Sequence, residues 1–333
     1  MSLTIEIAAG NLKGDFQNAL FGLRDTYQQC SAYTSSSIIY RRQIAQDNGI
    51  DSNNKSFIVR LDGKPVALFF GVLSYQDQRR VVDVYGGRPC VSFFNTSLIS
   101  KKILQMILAE VKTAIKDAGT TFVYRDFMID RSISPISRHL LSVGADVRQR
   151  FTQVIDLEKS EKDLKKDVRK SYTSLINWGL KELSITVHGK SNDISWDEMD
   201  LFRHLHAQVS GKDTRTKESW KKQFKMCASG EAFIVMGRLN GRLVSAGFFT
   251  NSHDSCYYGA SASCRDLFEK PIFHALLWTA ILHAKSIGCK WFEVGEQLYQ
   301  GIGSPSEKEL GISRFKSGFG GTIQTFIDLE LNV

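Results

Sequence analysis

The chain has 333 residues, 42% hydrophobic and 23% charged, with 43 Lys and Arg against 35 Asp and Glu for a net charge of +8. This balance excludes a disordered or fibrous chain, no apolar run approaches the ~20 residues that span a bilayer, and the length accommodates two domains of ordinary size. The positive excess favours anionic partners such as nucleotides, phosphorylated sugars or RNA, against the plainer reading of a solvated basic surface.

The stretch from Met1 to Ile5 lacks the basic start and apolar run of a secretory signal, so the expected location is cytoplasmic, without stable membrane insertion. Six scattered cysteines (Cys30, Cys90, Cys227, Cys256, Cys264 and Cys289) form no C-x-x-C pair and read as reduced, buried thiols. No His/Cys spacing matches a metal site, so no metal is expected.

In chain order, Ser56 to Leu61 and Val66 to Phe70 are β-rich runs joined at Asp62-Gly63, which tolerates positive φ in a tight hairpin. The fragment Tyr85-Gly86-Gly87-Arg88 reads as a loop. Ser100 to Ala118 has Ile103, Leu104, Ile107, Leu108, Val111 and Ile115 at helical spacing, stops at Gly119, and leads to a strand over Thr121 to Tyr124. A seam is expected near Asp156, giving domains 1–155 and 156–333. Glu158 to Gly179 reads as one charged helix, either a solvated face or a basic groove wall.

The helix carrying Phe202 to Ser210 stops at Gly211 and is followed by a polar loop reaching Arg215. Ala232 to Val235 and Val244 to Phe249 form a second hairpin, turning at Asn240-Gly241. A strand over Cys256 to Ala260, a helix from Pro271 to Ile287 and a strand over Lys290 to Val294 follow. Hairpin, helix and strand thus occur twice in one order, which points to an α+β chain built by internal duplication.

The two halves, the charged helix after the first, and the late run Gly311-Ile312-Ser313-Arg314-Phe315-Lys316-Ser317-Gly318-Phe319-Gly320-Gly321 resemble the Fem-type aminoacyltransferases of the GNAT-like superfamily. The most specific part is Arg314-Phe315-Lys316 with Phe319-Gly320; Tyr85-Gly86-Gly87 matches a loop of the relatives. The resemblance implies two tandem GNAT-like domains, each a mixed sheet flanked by helices. It implies transfer of an acyl or aminoacyl group to an amine of a nucleotide-activated sugar or peptidoglycan-type precursor. The donor would be acyl-CoA or aminoacyl-tRNA acting as co-substrate, with no permanently bound cofactor. Two departures stand out: Ser171 to Trp178 replaces a denser basic run, and no coiled-coil arm is present.

Amide formation needs a neutral amine, a positioned carbonyl and stabilisation of the developing oxyanion, and no nucleophilic triad. Lys316, read as lying on a glycine-flanked loop beside Phe315, can donate to that oxygen or to a phosphate; the alternative is an ordinary surface lysine. His206 can serve as general base, or simply satisfy a helix-terminal carbonyl. Arg215 and Arg88 can fork onto a phosphate, or be plain surface arginines. Trp220 can stack on a base or sugar, or pack in the core. His274 and His283 read as core histidines. The turn expected to cradle a coenzyme A pyrophosphate, Ser261 to Lys270, contains no glycine, which disfavours a standard acetyl-CoA site. Tyr85, Arg88, the His206-to-Arg215 segment and Phe315-Lys316 are expected to line one acceptor cleft. The rival readings are a non-catalytic twin-domain protein that holds a nucleotide-linked ligand, and an RNA-binding module with steep salt dependence.

Overall fold

The computed structural model describes residues 2–7, 31–76, 79–93, 99–115, 121–127, 133–190 and 194–332. They fall into two compact units: Met1–Gln29, Ile44–Arg150 and Gln324–Val333 form the first, Cys30–Gln43 and Phe151–Ile323 the second. The units change over between Arg150 and Phe151, and each takes a segment from the far side of the seam read near Asp156.

The first half of the chain runs β1 (Leu3–Ile7), α1 (Ser35–Asp47), β2 (Ser52–Asn54), β3 (Phe57–Leu61), β4 (Lys64–Phe70), β5 (Val72–Gln76), β6 (Arg79–Asp83), β7 (Cys90–Phe93), α2 (Lys101–Ile115), β8 (Thr121–Phe127), α3 (Pro135–Ser142) and β9 (Asp146–Asp156). In the first unit, β1, β3, β4 and β7 make an antiparallel sheet and β2, β5 and β6 a smaller one. The β3–β4 turn is the expected one, with positive φ at Asp62 (48°) and Gly63 (77°). Inward residues Phe57, Val59, Ala67 and Phe69 meet the apolar stripe Ile103, Ile107 and Val111 of α2, so the helical spacing read from the sequence is the face that packs. The expected stop at Gly119 lies outside the described residues.

Strand β8 pairs antiparallel with the chain's last strand, placing Arg125 opposite Asp328. Arg125 grips that carboxylate through Nε (2.6 Å) and Nη2 (2.8 Å), with Arg88 at 3.4 Å. Burial alone would raise the Asp328 pKa, but the hydrogen bonds and charge of Arg125, with Arg88 and Arg150, outweigh it and hold the value below normal.

The second half runs α4 (Glu161–Asp167), α5 (Lys170–Glu182), β10 (Ser184–His188), α6 (Trp196–Ser210), α7 (Lys217–Ser229), β11 (Ala232–Leu239), β12 (Arg242–Asn251), β13 (Ser255–Ser263), α8 (His274–Ser286), β14 (Trp291–Gln297), α9 (Glu307–Ser317) and β15 (Thr322–Asn332). The single charged helix expected over Glu158 to Gly179 is two, α4 and α5. The chain extends at Val168 (ψ 135°) and Arg169 (ψ 131°), where the Arg169 N–H donates to the Gly318 carbonyl instead of continuing a helix. Helix α6 stops where expected, at left-handed Gly211 (φ 75°). Helix α8 starts later than expected: Pro271 precedes it, and its carbonyl accepts the His274 N–H.

The sheet of the second unit has the order β10-β11-β12-β13-β14-β9, antiparallel throughout except for β13 and β14. Helix α8 lays Leu276, Leu277 and Ile281 onto its core with Phe233, Phe249 and Phe292. Cys90, Cys227, Cys256, Cys264 and Cys289 are free and buried; Cys30 lies outside the described residues. Among the described residues no helix is long and apolar enough to cross a membrane.

Candidate functional site

The parallel pair is where the sheet opens. Ser255–Tyr257 pair with Trp291–Glu293, and there the pairing ends. Strand β13 continues to Ser263 on β12, while β14 continues to Gln297 on β9. Among the described residues one edge of β13 is therefore unpaired beyond Tyr257, and a cavity of about 790 Å³ lies against it. Its walls are β13 from Tyr257 to Ser261, the segment Phe268 to His274, and the face of α9 that carries Lys308, Gly311, Ile312, Phe315 and Lys316.

Strand β14 deforms at this point. Its register against β9 slips between Glu293 and Gly295, and Gly295 has φ +113°, a conformation that side chains disfavour. The Lys316 ammonium fills the space a side chain there would need: a Cβ on Gly295 would lie 2.7 Å from Nζ and 3.9 Å from the Tyr257 ring. Burial lowers the Lys316 pKa, opposed in part by the charges of Glu293 and Glu296. Glu293 is itself tied to Thr152 through a 2.9 Å bond.

Lys316 is not on a glycine-flanked loop, as the sequence suggested, but in the last turn of α9. The capping box of Ser306 and Glu309 starts that helix. Arg169 holds its other end, bonding the Arg314 carbonyl (3.1 Å) and Ser317 Oγ (3.1 Å). The glycines after it permit close approach: a Cβ on Gly318 would collide with the Tyr172 ring, and one on Gly320 or Gly321 with backbone of Asp167 or Val154. The run that carried the family resemblance thus seats α9, and Gly311, Ile312, Phe315 and Lys316 of it line the cavity.

His274 was read as a core histidine, yet it lines the cavity. Tyr172 (4.6 Å between ring centroids), Phe315 (5.2 Å) and Phe319 (6.1 Å) box its ring. Burial pulls its pKa down to about 4, so it is neutral at pH 7. His283 does pack as core, 4.5 Å from Phe233. Beside the cavity, burial pushes the Tyr258 hydroxyl up to about 12, where it bonds Ser261.

His206, Arg215 and Trp220 form a second cluster. Trp220 is 2% exposed, 5.6 Å from the His206 ring and 5.1 Å below the Arg215 guanidinium. Burial and then Arg215 lower the His206 pKa. None of the three lines the cavity. Tyr85 (φ 50°) and Gly86 lie in a turn of the first unit whose N–H groups are held by Asp83, and Arg88 is engaged by Asp328. Sequence reasoning missed Gly295, His274 and Tyr172. A glycine inside the strand run Phe292 to Glu296 was the available signal, since such glycines mark bulges and close approaches.

This is the architecture of tandem GNAT-like domains. The structure is similar to the crystal structure of FemX, at a TM-score of 0.72 and 13% identity over 100% of this chain and 98% of that one. It is similar to a tandem GNAT protein from the clavulanic acid biosynthesis pathway (TM-score 0.57, 13% identity, 99% and 98% covered). The C-terminal domain of a putative lysylphosphatidylglycerol synthetase from Agrobacterium fabrum also matches (TM-score 0.54, 14% identity, 79% and 80% covered). At these identities the likeness establishes the fold. No protein-family model matches the chain, and no curated protein matches it in sequence.

Proposed function

We propose that the protein is an acyltransferase that passes an acyl or aminoacyl group from an activated donor to an amine, with the donor held in the fork of β13 and β14. The observation that carries this is the half-buried Lys316 ammonium, kept over Gly295 at an unpaired strand edge that faces a cavity of about 790 Å³. An unpaired edge offers N–H and C=O groups to an extended, amide-bearing donor arm. The acceptor amine attacks the donor carbonyl, a C–N bond forms, and the ester C–O or thioester C–S bond breaks. The amine's proton leaves with the released alcohol or thiol. Lys316 donates to the oxygen on which negative charge develops.

Acyl-CoA and aminoacyl-tRNA remain the two donor classes. The acceptor is the amine of a nucleotide-activated sugar or peptidoglycan-type precursor, and the likeness to the putative lysylphosphatidylglycerol synthetase adds a phospholipid to those worth testing.

The test is to incubate the full chain with each donor class and a panel of amine acceptors, and to detect the amide by mass. One donor class should yield product. A donor that binds saturably and yields no amide with any acceptor would favour the non-catalytic, ligand-holding reading instead. Because Lys316 acts as a cation and its pKa is lowered, turnover should fall as pH rises, earlier than an ordinary lysine would titrate.

A further inference from the structure

The last turn of α9, which carries Phe315 and Lys316, does not close as a regular α-helix. The Gly318 N–H, which would reach the Arg314 carbonyl in a continuing helix, donates to the Phe315 carbonyl instead (3.1 Å), and the Phe319 N–H donates to that of Lys316 (3.2 Å). The Arg314 carbonyl is thereby released from the backbone ladder. It accepts from Ser317 Oγ (3.0 Å) and from Arg169 Nη2 (3.1 Å), and the same Nη2 also donates to Ser317 Oγ (3.1 Å). Three groups close a triangle around the turn that carries Lys316.

Arg169 is committed to this turn although its own run offers carboxylates. It makes no salt bridge among the described residues, while Asp167, two positions before it, takes Lys159 (2.8 Å). The Arg169 guanidinium stands 4.9 Å from the centre of the Tyr172 ring, and that ring packs on Phe315 (6.1 Å) and Phe319 (5.4 Å). A cation at this end of α9 is also favoured by the helix dipole. The break between α4 and α5 is what brings Arg169 here, with its backbone N–H on the Gly318 carbonyl (2.9 Å).

We propose that Arg169 is a positioning residue for the transfer reaction: its side chain fixes the last turn of α9 and so keeps the Lys316 ammonium over Gly295. It lines no part of the cavity and acts through Lys316 alone. The catalytic consequence rests on the transferase reading, but the seating of Lys316 is measurable without turnover. Glu293 and Glu296 of β14 act on Lys316 by charge, Tyr257 of β13 lies beside it, and the neutral His274 shares its cavity wall. Burial outweighs the two carboxylates and lowers its pKa. A looser turn admits water to the ammonium, so the pKa should rise.

Arg169→Ala removes the side-chain contacts and keeps the backbone bond, and the exposed position should leave the melting temperature little changed. Lys316 is titrated by NMR in the full chain isotope-labelled at lysine Cε, its signal identified by loss in Lys316→Met. In Arg169→Ala its midpoint should move up toward the ordinary lysine value of about 10.4. The kcat should fall roughly 10-fold or more with donor Kd unchanged, and the alkaline decline in turnover should shift to higher pH. Arg169→Lys, which retains a cation and donors, should lie between. Lys159→Gln breaks a surface pair in the same segment and should match the parent. A Lys316 midpoint equal in Arg169→Ala and the parent, or an equal shift in Lys159→Gln, would overturn the proposal. If the parent forms no amide with any donor, the transferase reading fails, while the midpoint shift still upholds the seating and its absence still overturns it.

Discussion

The two units share a hairpin and treat their cations differently. Each contains an Asx-Gly hairpin at positive φ, Asp62-Gly63 in one and Asn240-Gly241 in the other, with a packed helix and a strand later in the chain. In the first unit, the strand after the helix, β8, sets Arg125 directly against the buried Asp328, and the charge is consumed in a structural ion pair. In the second, the strand after the helix, β14, pairs with β13 only briefly, slips at Gly295, and leaves room for the Lys316 ammonium beside a cavity. A cation tied to a carboxylate stabilises; Lys316, near the charges of Glu293 and Glu296 but in no salt bridge among the described residues, can offer its donors to a ligand.

The largest effect that sharpens this contrast is expected at Asp328. Asp328→Ala leaves Arg125 without its buried partner and should cost about 3–5 kcal/mol in urea unfolding, whatever it does to catalysis. Its lowered carboxyl pKa means the stabilisation is complete above the ordinary carboxylate range and is lost as pH falls through the depressed value. Should the variant lose less than about 1 kcal/mol, the magnitude of a surface pair, the pairing is not structural.

Gly295 comes next. Gly295→Ala imposes a side chain on a backbone at φ +113° and drives it into Lys316 Nζ. The strain should cost about 1–3 kcal/mol, and displacement of the amine should lower turnover beyond what that stability loss explains. Activity equal to the parent would separate Lys316 from the chemistry.

The smallest effect lies with His274. Its pKa, lowered to about 4 in the fold, favours the neutral ring. The stability this confers is complete above the unfolded value of about 6.5 and is lost as pH falls toward 4. His274→Phe keeps the ring among Tyr172, Phe315 and Phe319, and should flatten the decline in melting temperature over that interval. An unchanged pH profile would place the acid sensitivity elsewhere.

Much of the frame was legible because it rests on local rules. Asp62-Gly63 and Asn240-Gly241 announced their turns, the Ile103-to-Val111 spacing announced the buried face of α2, and Gly211 announced the end of α6. The pairing that opens the fork was not legible, since strand partners far apart in sequence leave no periodic mark on either strand. Phe315 and Lys316, which line the cavity, were read as a loop, because the surrounding glycines suggest a turn while they in fact let Tyr172, Asp167 and Val154 come close. The break at Arg169 was hidden by charge patterning that suits one helix as well as two.

The central claim is that Lys316 stabilises the transition state in the β13–β14 fork. The measurement that tests it most directly is the turnover of Lys316→Met beside its donor affinity, both compared with the parent. The expected result is a fall in kcat of about 100- to 1000-fold, the range for loss of one oxyanion donor, with donor Kd and melting temperature nearly unchanged. A variant that turns over like the parent, or whose loss appears wholly in donor Kd, would contradict it.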